Sequence, residues 1–256
     1  MSSLIYTFSD FQTKISEFLG VGSSPEGDNL TKVKDIVCRG YTRFLFPTKV
    51  GANTRTSHIW SFLEKYYVLS TESGKWKYAL PEDFGKIITN PEYSGQQSYN
   101  ALEKRNPDFI LHNRNVIDSS SFPTYFAIVN SDYDLEIGTS WEMWLYETPN
   151  QSYDLQFFYK VNTPKPESDG DYLVGSLEAQ EALVESCLAV AEQQEEDGTS
   201  TIHTNLANIL IQDLIASDTI TKGDSIGRMT DPRHPSNSYS TWRSSHTNLN
   251  DANIYP

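Results

Sequence analysis

In Tyr153-Asp154-Leu155-Gln156-Phe157-Phe158-Tyr159-Lys160-Val161, alternate side chains are large and apolar or aromatic. Tyr153, Leu155, Phe157 and Tyr159 fall on one face of a β-strand, and Phe158 alone breaks the polar character of the other. Upstream, the same reading places strands at Lys86–Thr89, Phe109–His112, Thr124–Val129, Asp134–Ile137 and Glu142–Tyr146. Tyr66–Leu69 and Trp76–Leu80, separated by Glu72-Ser73-Gly74, are expected to form a β-hairpin. An antiparallel β-domain over 66–171 follows from these segments. Its last part, Asn162–Asp171, is rich in Pro and charge and is expected to be an exit linker.

Helical periodicity flanks this region. Thr7 with Asp10 is a capping pair for a helix that buries Phe8, Phe11, Ile15, Phe18 and Leu19, with Gly20 as its stop. Asp28 or Asn29 starts a second helix, with Leu30, Val33, Val37, Tyr41, Phe44 and Leu45 on one face and Pro47 at its end. A short apolar segment around Ile59, Trp60, Phe62 and Leu63 leads from this helix into the strands. After the linker, Leu177–Glu196 aligns Leu177, Val184, Leu188 and Ala191, and Asn205–Ala216 aligns Leu206, Ile209, Leu210 and Leu214. Glu192, Glu195, Glu196 and Asp197 crowd the end of the former, where the helix macrodipole disfavours acids, so a solvated or partner-facing acidic ridge is expected.

The 256 residues carry 34 Asp and Glu against 20 Lys and Arg, a net charge of −14. Such a chain repels nucleic-acid phosphates unless its bases gather in one groove, and no cluster of bases is visible. Hydrophobic residues make up 38% and aromatics 12%, a composition of folded rather than disordered chains. Cys38 and Cys187 lack metal or redox spacing and read as small buried residues. The opening MSSLIYTFSDF has neither a basic flank nor a long apolar core, and no apolar run approaches a membrane span, so the sequons at Asn29 and Asn150 are expected to be coincidental. From Ser217 to Pro256 four Asp balance four Lys and Arg, the apolar residues lose any period, and the segment cannot build its own core. It is suited to ordering along a neighbouring subunit or in a groove.

Signals for chemistry are sparse. His58, His112, His203, His234 and His246 are isolated, and no metal-binding spacing, nucleophile elbow or phosphate-binding loop is present. Gly20-Val21-Gly22 is followed by Ser-Ser-Pro-Glu-Gly and reads as a loop. Asp132, Asp134 and Glu136 alternate along one strand face with Glu142 beyond the next turn, an arrangement expected at an exposed acidic edge. A cation site or a pair of catalytic carboxylates is the alternative there. Trp141, Trp144, Tyr146, Phe157 and Tyr159 are expected to serve mainly in a core, with a carbohydrate platform as the alternative.

Three segments in order carry a family resemblance: Ile36-Val37-Cys38-Arg39-Gly40-Tyr41-Thr42-Arg43-Phe44-Leu45-Phe46-Pro47, His58-Ile59-Trp60-Ser61-Phe62-Leu63, and Gly74-Lys75-Trp76-Lys77-Tyr78-Ala79-Leu80-Pro81-Glu82-Asp83-Phe84-Gly85. With Pro123-Thr124-Tyr125-Phe126-Ala127 and the 153–160 stretch, the order resembles that of tailed-phage head-to-tail connector proteins over residues 25–216. The broad comparison is the adaptor, or tail tubular protein A, of short-tailed phages.

The resemblance implies an α+β fold: a helical adaptor bundle with an inserted antiparallel β-domain and an extended C-terminal arm. The corresponding divisions are 1–65 and 172–216 for the bundle, 66–171 for the β-domain and 217–256 for the arm. It further implies a homo-oligomeric ring of twelve subunits in the virion neck, with host cytoplasm as the place of assembly. The ring would contact the portal protein and a downstream tail or nozzle protein, and double-stranded DNA would pass through without sequence-specific binding. The arm would dock on the portal, with Trp242, Arg243, Leu249, Ile254 and Tyr255 as its contact residues. No enzyme, catalytic residue, metal or cofactor is implied. A carbohydrate-binding virion protein or glycan-processing enzyme using the aromatic β-domain is the competing reading, and a generic soluble structural module is a third.

Overall fold

The computed structural model describes residues 5–49, 56–95, 99–117, 119–134, 138–195 and 201–221. The chain divides into two compact units, Met1–Leu214 and Ile215–Pro256. Within the first, helices α1 (Phe8–Phe18) and α2 (Gly27–Leu45) precede a strand-rich region, and α4 (Gln180–Glu195) follows it. The last helix, α5 (Ile202–Thr221), begins in the first unit and runs into the second, past Ser217.

The N-terminus of α1 is held as expected: the Asp10 N–H donates to Thr7 Oγ1 at 3.3 Å and the Thr7 N–H donates to Asp10 Oδ2 at 2.7 Å. Phe8, Phe11 and Ile15 are buried, but Phe18 is 44% exposed at the end of the stripe. Gly20, at φ +69°, ends the helix. For α2 the start lies at Gly27 after Glu26, which makes no side-chain cap, rather than at Asp28 or Asn29. Asp28 instead sits in the first turn, where its charge suits the macrodipole. Val33, Val37, Tyr41, Phe44 and Leu45 are buried as expected, joined by Ile36 and Gly40.

Gly40 sets the crossing of α2 over α4. A Cβ there would lie 2.5 Å from Cys187 Cα, so the two backbones touch. That proximity selects small groups on α4: Ala179 just before it, then Ala182, Ser186, Cys187 and Ala191, with Leu183 and Val190 filling the flanks. The expected stripe is corrected accordingly. Leu177 is 50% exposed in a 3-10 turn ahead of the helix, and Val184 and Leu188 are only half-buried. On α5 the expected Leu206 and Ile209 are exposed, while Ala207 and Ile211 are buried. In α4 large-residue periodicity misleads because close packing at Gly40 admits the small face.

The intervening region begins with the short pair β1 (Thr48–Lys49) and β2 (Thr56–Ser57). The strands that follow are β3 (Glu64–Ser70), β4 (Lys77–Ala79), β5 (Phe84–Ile87), β6 (Glu92–Tyr93) and β7 (Glu103–Lys104). Helix α3 (Pro107–Val116) and β8 (Ser120–Ser121) come next, then β9 (Tyr125–Asp134), β10 (Gly138–Tyr146), β11 (Thr148–Pro149) and β12 (Asp154–Val161). One sheet has the order β3-β12-β5, with β6 also paired to β12, and another the order β4-β10-β9-β7. Pairing is antiparallel except for β7 with β9 and β8 with β11. Leu69, Phe84, Leu155, Phe157 and Tyr159 from the first sheet share one core with Tyr78, Phe126, Met143 and Leu145 from the second. Two sheets thus face each other across aromatic side chains without closing into a barrel.

Two strand expectations are corrected. The Tyr66–Leu80 hairpin does not form, because β3 pairs with β12 and β4 with β10. Between them the chain crosses from one sheet to the other, tied down by Thr71 N–H to the Tyr153 carbonyl and Gly74 N–H to the Pro149 carbonyl, both at 2.8 Å. Tyr78 braces this crossing, its hydroxyl accepting the Glu72 N–H and donating to the Lys75 carbonyl. Phe109–His112 is helical, within α3: Asn106-Pro107 supplies a proline at the first helical position, where its missing N–H costs nothing. Lys86–Thr89 shifts to β5, Thr124–Val129 lengthens to β9, and Asp134 ends that strand, with 135–137 outside the described residues.

Residues Asn162–Asp171 carry no helix or strand, yet they bind α1 closely. Phe8 and Ser9 N–H groups donate to the Asp171 and Asp169 carbonyls, and Asp169 also meets Gln12 and, at 3.3 Å, Lys34. The segment is therefore a strap between sheets and helices.

A second buttress is Asp83, which accepts from Tyr159 Oη at 2.7 Å and from Lys65 Nζ at 2.8 Å. Burial disfavours its charge, but these two donors outweigh that and hold its pKa below the ordinary value. Burial and then Asp83 itself push Tyr159 up to about 12.

Gly40→Ala should destabilise the protein by about 1–2 kcal/mol net, as overpacking against α4 exceeds the gain in helix propensity; urea unfolding measures it. Because the Asp83 pKa is lowered on folding, its contribution is present above the ordinary carboxylate pKa of about 4 and lost as pH falls through the folded value. Asp83→Asn should therefore lower stability at neutral pH and flatten the acid limb of a melting-temperature profile.

Candidate functional site

The outer face of the β4-β10-β9-β7 sheet carries an array of rings and cations. On β10, Met143 and Leu145 point inward, so Glu142, Trp144 and Tyr146 point away from the core. Lys77 Nζ lies 4.7 Å from the Trp76 ring centroid and 4.6 Å from that of Trp144. From α3, the Arg114 guanidinium stacks 4.2 Å from the Trp76 ring, and Arg105 at the helix approach lies over Phe109 and Tyr125. Trp144 Nε1–H donates to Glu142 at 3.0 Å. These rings are thus already engaged by the chain's own cations, an arrangement that packs α3 onto the sheet.

The aromatics considered for a carbohydrate platform are divided between two faces. Phe157 and Tyr159 are buried between the sheets, Trp141 packs against that core beside Phe84, and Trp144 and Tyr146 lie on the opposite face. The acids do not converge either. Glu142 serves Trp144, Asp132 accepts the Tyr133 N–H at 2.7 Å, and Glu136 lies outside the described residues. Among the described residues no group of three or more His, Cys, Asp or Glu is placed to hold a metal ion.

A polar cluster that the sequence reading missed sits where α4 meets α5. Glu192, expected on a solvated or partner-facing ridge, is only 3% exposed and its Oε2 accepts the His203 N–H at 3.2 Å. The same carboxylate that the C-terminus of α4 disfavours is favoured by the N-terminus of α5. His203 Nδ1 lies 2.8 Å from Glu185 Oε2, and its ring meets Phe18 edge-on at 5.3 Å. A His–carboxylate pair was not legible because Glu185 and His203 share no motif and lie on different helices. Of the other histidines, His58 is buried edge-on to Trp60, His112 is exposed on α3, and His234 and His246 lie outside the described residues.

A cleft of about 380 Å³ lies between the C-terminal half of α2 and the strap, lined by Cys38, Tyr41, Phe46, Thr163, Lys165 and Pro166 among others. Burial pushes the Cys38 thiol up, with Lys165 pulling the other way, so it is not poised as a nucleophile. Cys187 is fully buried and both thiols are free, which makes Cys38, half-buried, the departure from the expectation for the pair.

Trp242, Arg243, Leu249, Ile254 and Tyr255, the residues expected to contact a partner, lie outside the described residues, as do Glu196 and Asp197. No protein-family model matches this chain, and no curated protein matches it. Among the described residues no helix is long and apolar enough to cross a membrane.

Glu192→Ala should release the first turn of α5, costing about 0.5–2 kcal/mol as for loss of a helix cap. Faster amide hydrogen exchange at His203–Asn205, with the β-strands unaffected, is the expected readout.

Proposed function

We propose that this chain is a structural subunit of a virus neck, forming a ring between portal and tail around the channel for genome passage. The observation that carries the reading is the direct packing of α2 on α4 at Gly40 and Cys187, across a region of strands inserted between them in sequence. The resemblance to head-to-tail connectors implies a helical bundle with an inserted β-domain, and this contact between helices on either side of the strands supports it.

Two further features support a subunit of an assembly. Ile202, Leu206 and Ile209 of α5 are 72%, 40% and 57% exposed and recur at helical spacing on a helix whose titratable groups between 202 and 214 are only His203 and Asp213. Such a stripe suits a neighbouring helix rather than water. The net charge of −14 suits a channel wall, where carboxylates reduce adhesion to passing phosphates. In this reading the helices support ring contacts, part of the β-domain meets the next tail component, and the segment beyond α5 docks on the portal through Trp242, Arg243, Leu249, Ile254 and Tyr255. The function is mechanical, with no catalytic group, metal or cofactor required.

Electron microscopy of source-virus particles labelled with an antibody to this protein should show label at the neck. Label at a distal fibre, or none with the epitope shown to be accessible, would reject the reading. Deleting residues 222–256 should weaken portal binding by at least tenfold in a pull-down while leaving the thermal melt of the remaining chain nearly unchanged.

A further inference from the structure

The outer face of the β3-β12-β5 sheet exposes a set of side chains that the proposed function has not used. Tyr66 and Val68 of β3 are 51% and 38% exposed, Phe158 of β12 is 43% exposed, and Phe46 at the end of α2 is 48% exposed. They form a continuous strip. Tyr66 stands opposite Phe158 in the strand register with ring centroids 5.6 Å apart, and Lys160, next on that face of β12, places Nζ 4.3 Å from the Phe46 ring.

On this strip two like charges face each other. Lys160 stands directly opposite Lys86 across the antiparallel pair β12 and β5. Like charges in that position are destabilising. Lys65 and Lys75 have Asp83 and Glu72 as ion-pair partners, whereas among the described residues Lys86 and Lys160 have none. Glu64, across from Lys160 on β3, forms no ion pair with it. Burial first, and then Lys86, make protonation of Lys160 harder, as an uncompensated cation requires.

An apolar strip ending in two facing, uncompensated lysines fits a surface that brings carboxylates. With 34 acidic against 20 basic side chains, another copy offers carboxylates in excess. Identical acidic copies repel wherever like patches meet, so they associate where a basic patch faces an acidic one. A contact between two different patches is heterologous, the type that builds a ring when its rotation closes. We infer that the outer face of the β3-β12-β5 sheet is a contact surface for a second copy of this chain, whose carboxylates sit against Lys86 and Lys160 and whose apolar groups cover Tyr66, Val68 and Phe158. This rests on the reading of the chain as a ring subunit, but not on the position of the ring in the particle.

The test mixes unlabelled and 15N-labelled full-length protein at low salt and treats it with a water-soluble carbodiimide, which joins an amine to a carboxylate at zero length. Peptides of mixed isotope linking Lys86 or Lys160 to Asp or Glu are the expected products. In sedimentation equilibrium, Lys86→Glu with Lys160→Glu should weaken self-association at least tenfold, and Phe158→Ser, which leaves every charge in place, should weaken it severalfold. Unchanged circular dichroism is expected for both variants, since the altered side chains face solvent. Self-association with cross-links confined to other residues would overturn this surface and leave the ring reading standing. Self-association through Lys86 and Lys160 in a protein absent from the neck would do the reverse. A wild-type protein that stays monomeric throughout, or that uses the two lysines only to bind a single-stranded oligonucleotide, overturns the inference.

Discussion

The approach of α2 to α4 at Gly40 is the constraint on which the rest of the first unit depends. These helices flank the strand region in sequence, so their contact closes the chain around everything between them. Only a residue without a side chain permits it, since any Cβ at Gly40 would collide with the backbone of Cys187. The same closeness explains the small side chains facing α2, because the gap between touching backbones has no room for branched ones. The buried Cys187 thiol belongs to this seam, and its Sγ lies 3.7 Å from the Val37 carbonyl.

The sheets solve a different packing problem. Their shared core is built largely from rings whose polar ends find partners at its margins: Tyr159 on Asp83, Tyr153 on Asn150, Tyr78 on the crossing at 72–75. An aromatic core of this kind buries large apolar area while leaving each hydroxyl satisfied. The strap at 162–171 then couples the last strand to α1 through backbone hydrogen bonds and Asp169. Charge takes a local structural part throughout. Asp83, Asp169 and Asp171 are held ionised by donors, and Glu192 accepts the His203 N–H at the start of α5, so part of the excess acidity is structural rather than displayed.

Against that background the exposed features stand out by contrast. The apolar stripe on α5 and the lysine–aromatic strip on the β3-β12-β5 sheet lie on elements whose opposite sides are buried at Ala207 and Ile211 and at Leu155, Phe157 and Tyr159. Each has the composition of a surface that loses water on assembly. The aromatic array around Trp76 and Trp144 differs, since its rings already carry Lys77, Arg105 and Arg114 and its role in holding α3 accounts for it.

The sequence by itself determined the features that local physics decides. The capping of α1 by Thr7 and Asp10, the buried stripe of α2 and the alternation from Tyr153 to Tyr159 are each set by side-chain period and nearby hydrogen bonds, and each is present. Tertiary structure alone decided which strand pairs with which, because the crossing from β3 to β4 depends on hydrogen bonds to residues far along the chain. It also decided which faces of α4 and α5 turn inward; on α4 the steric room beside Gly40 overrides the preference for burying the largest apolar groups. The meeting of Glu185, Glu192 and His203 belongs to the same class: their partnership exists only once two helices are brought together, and no spacing along the chain records that distance.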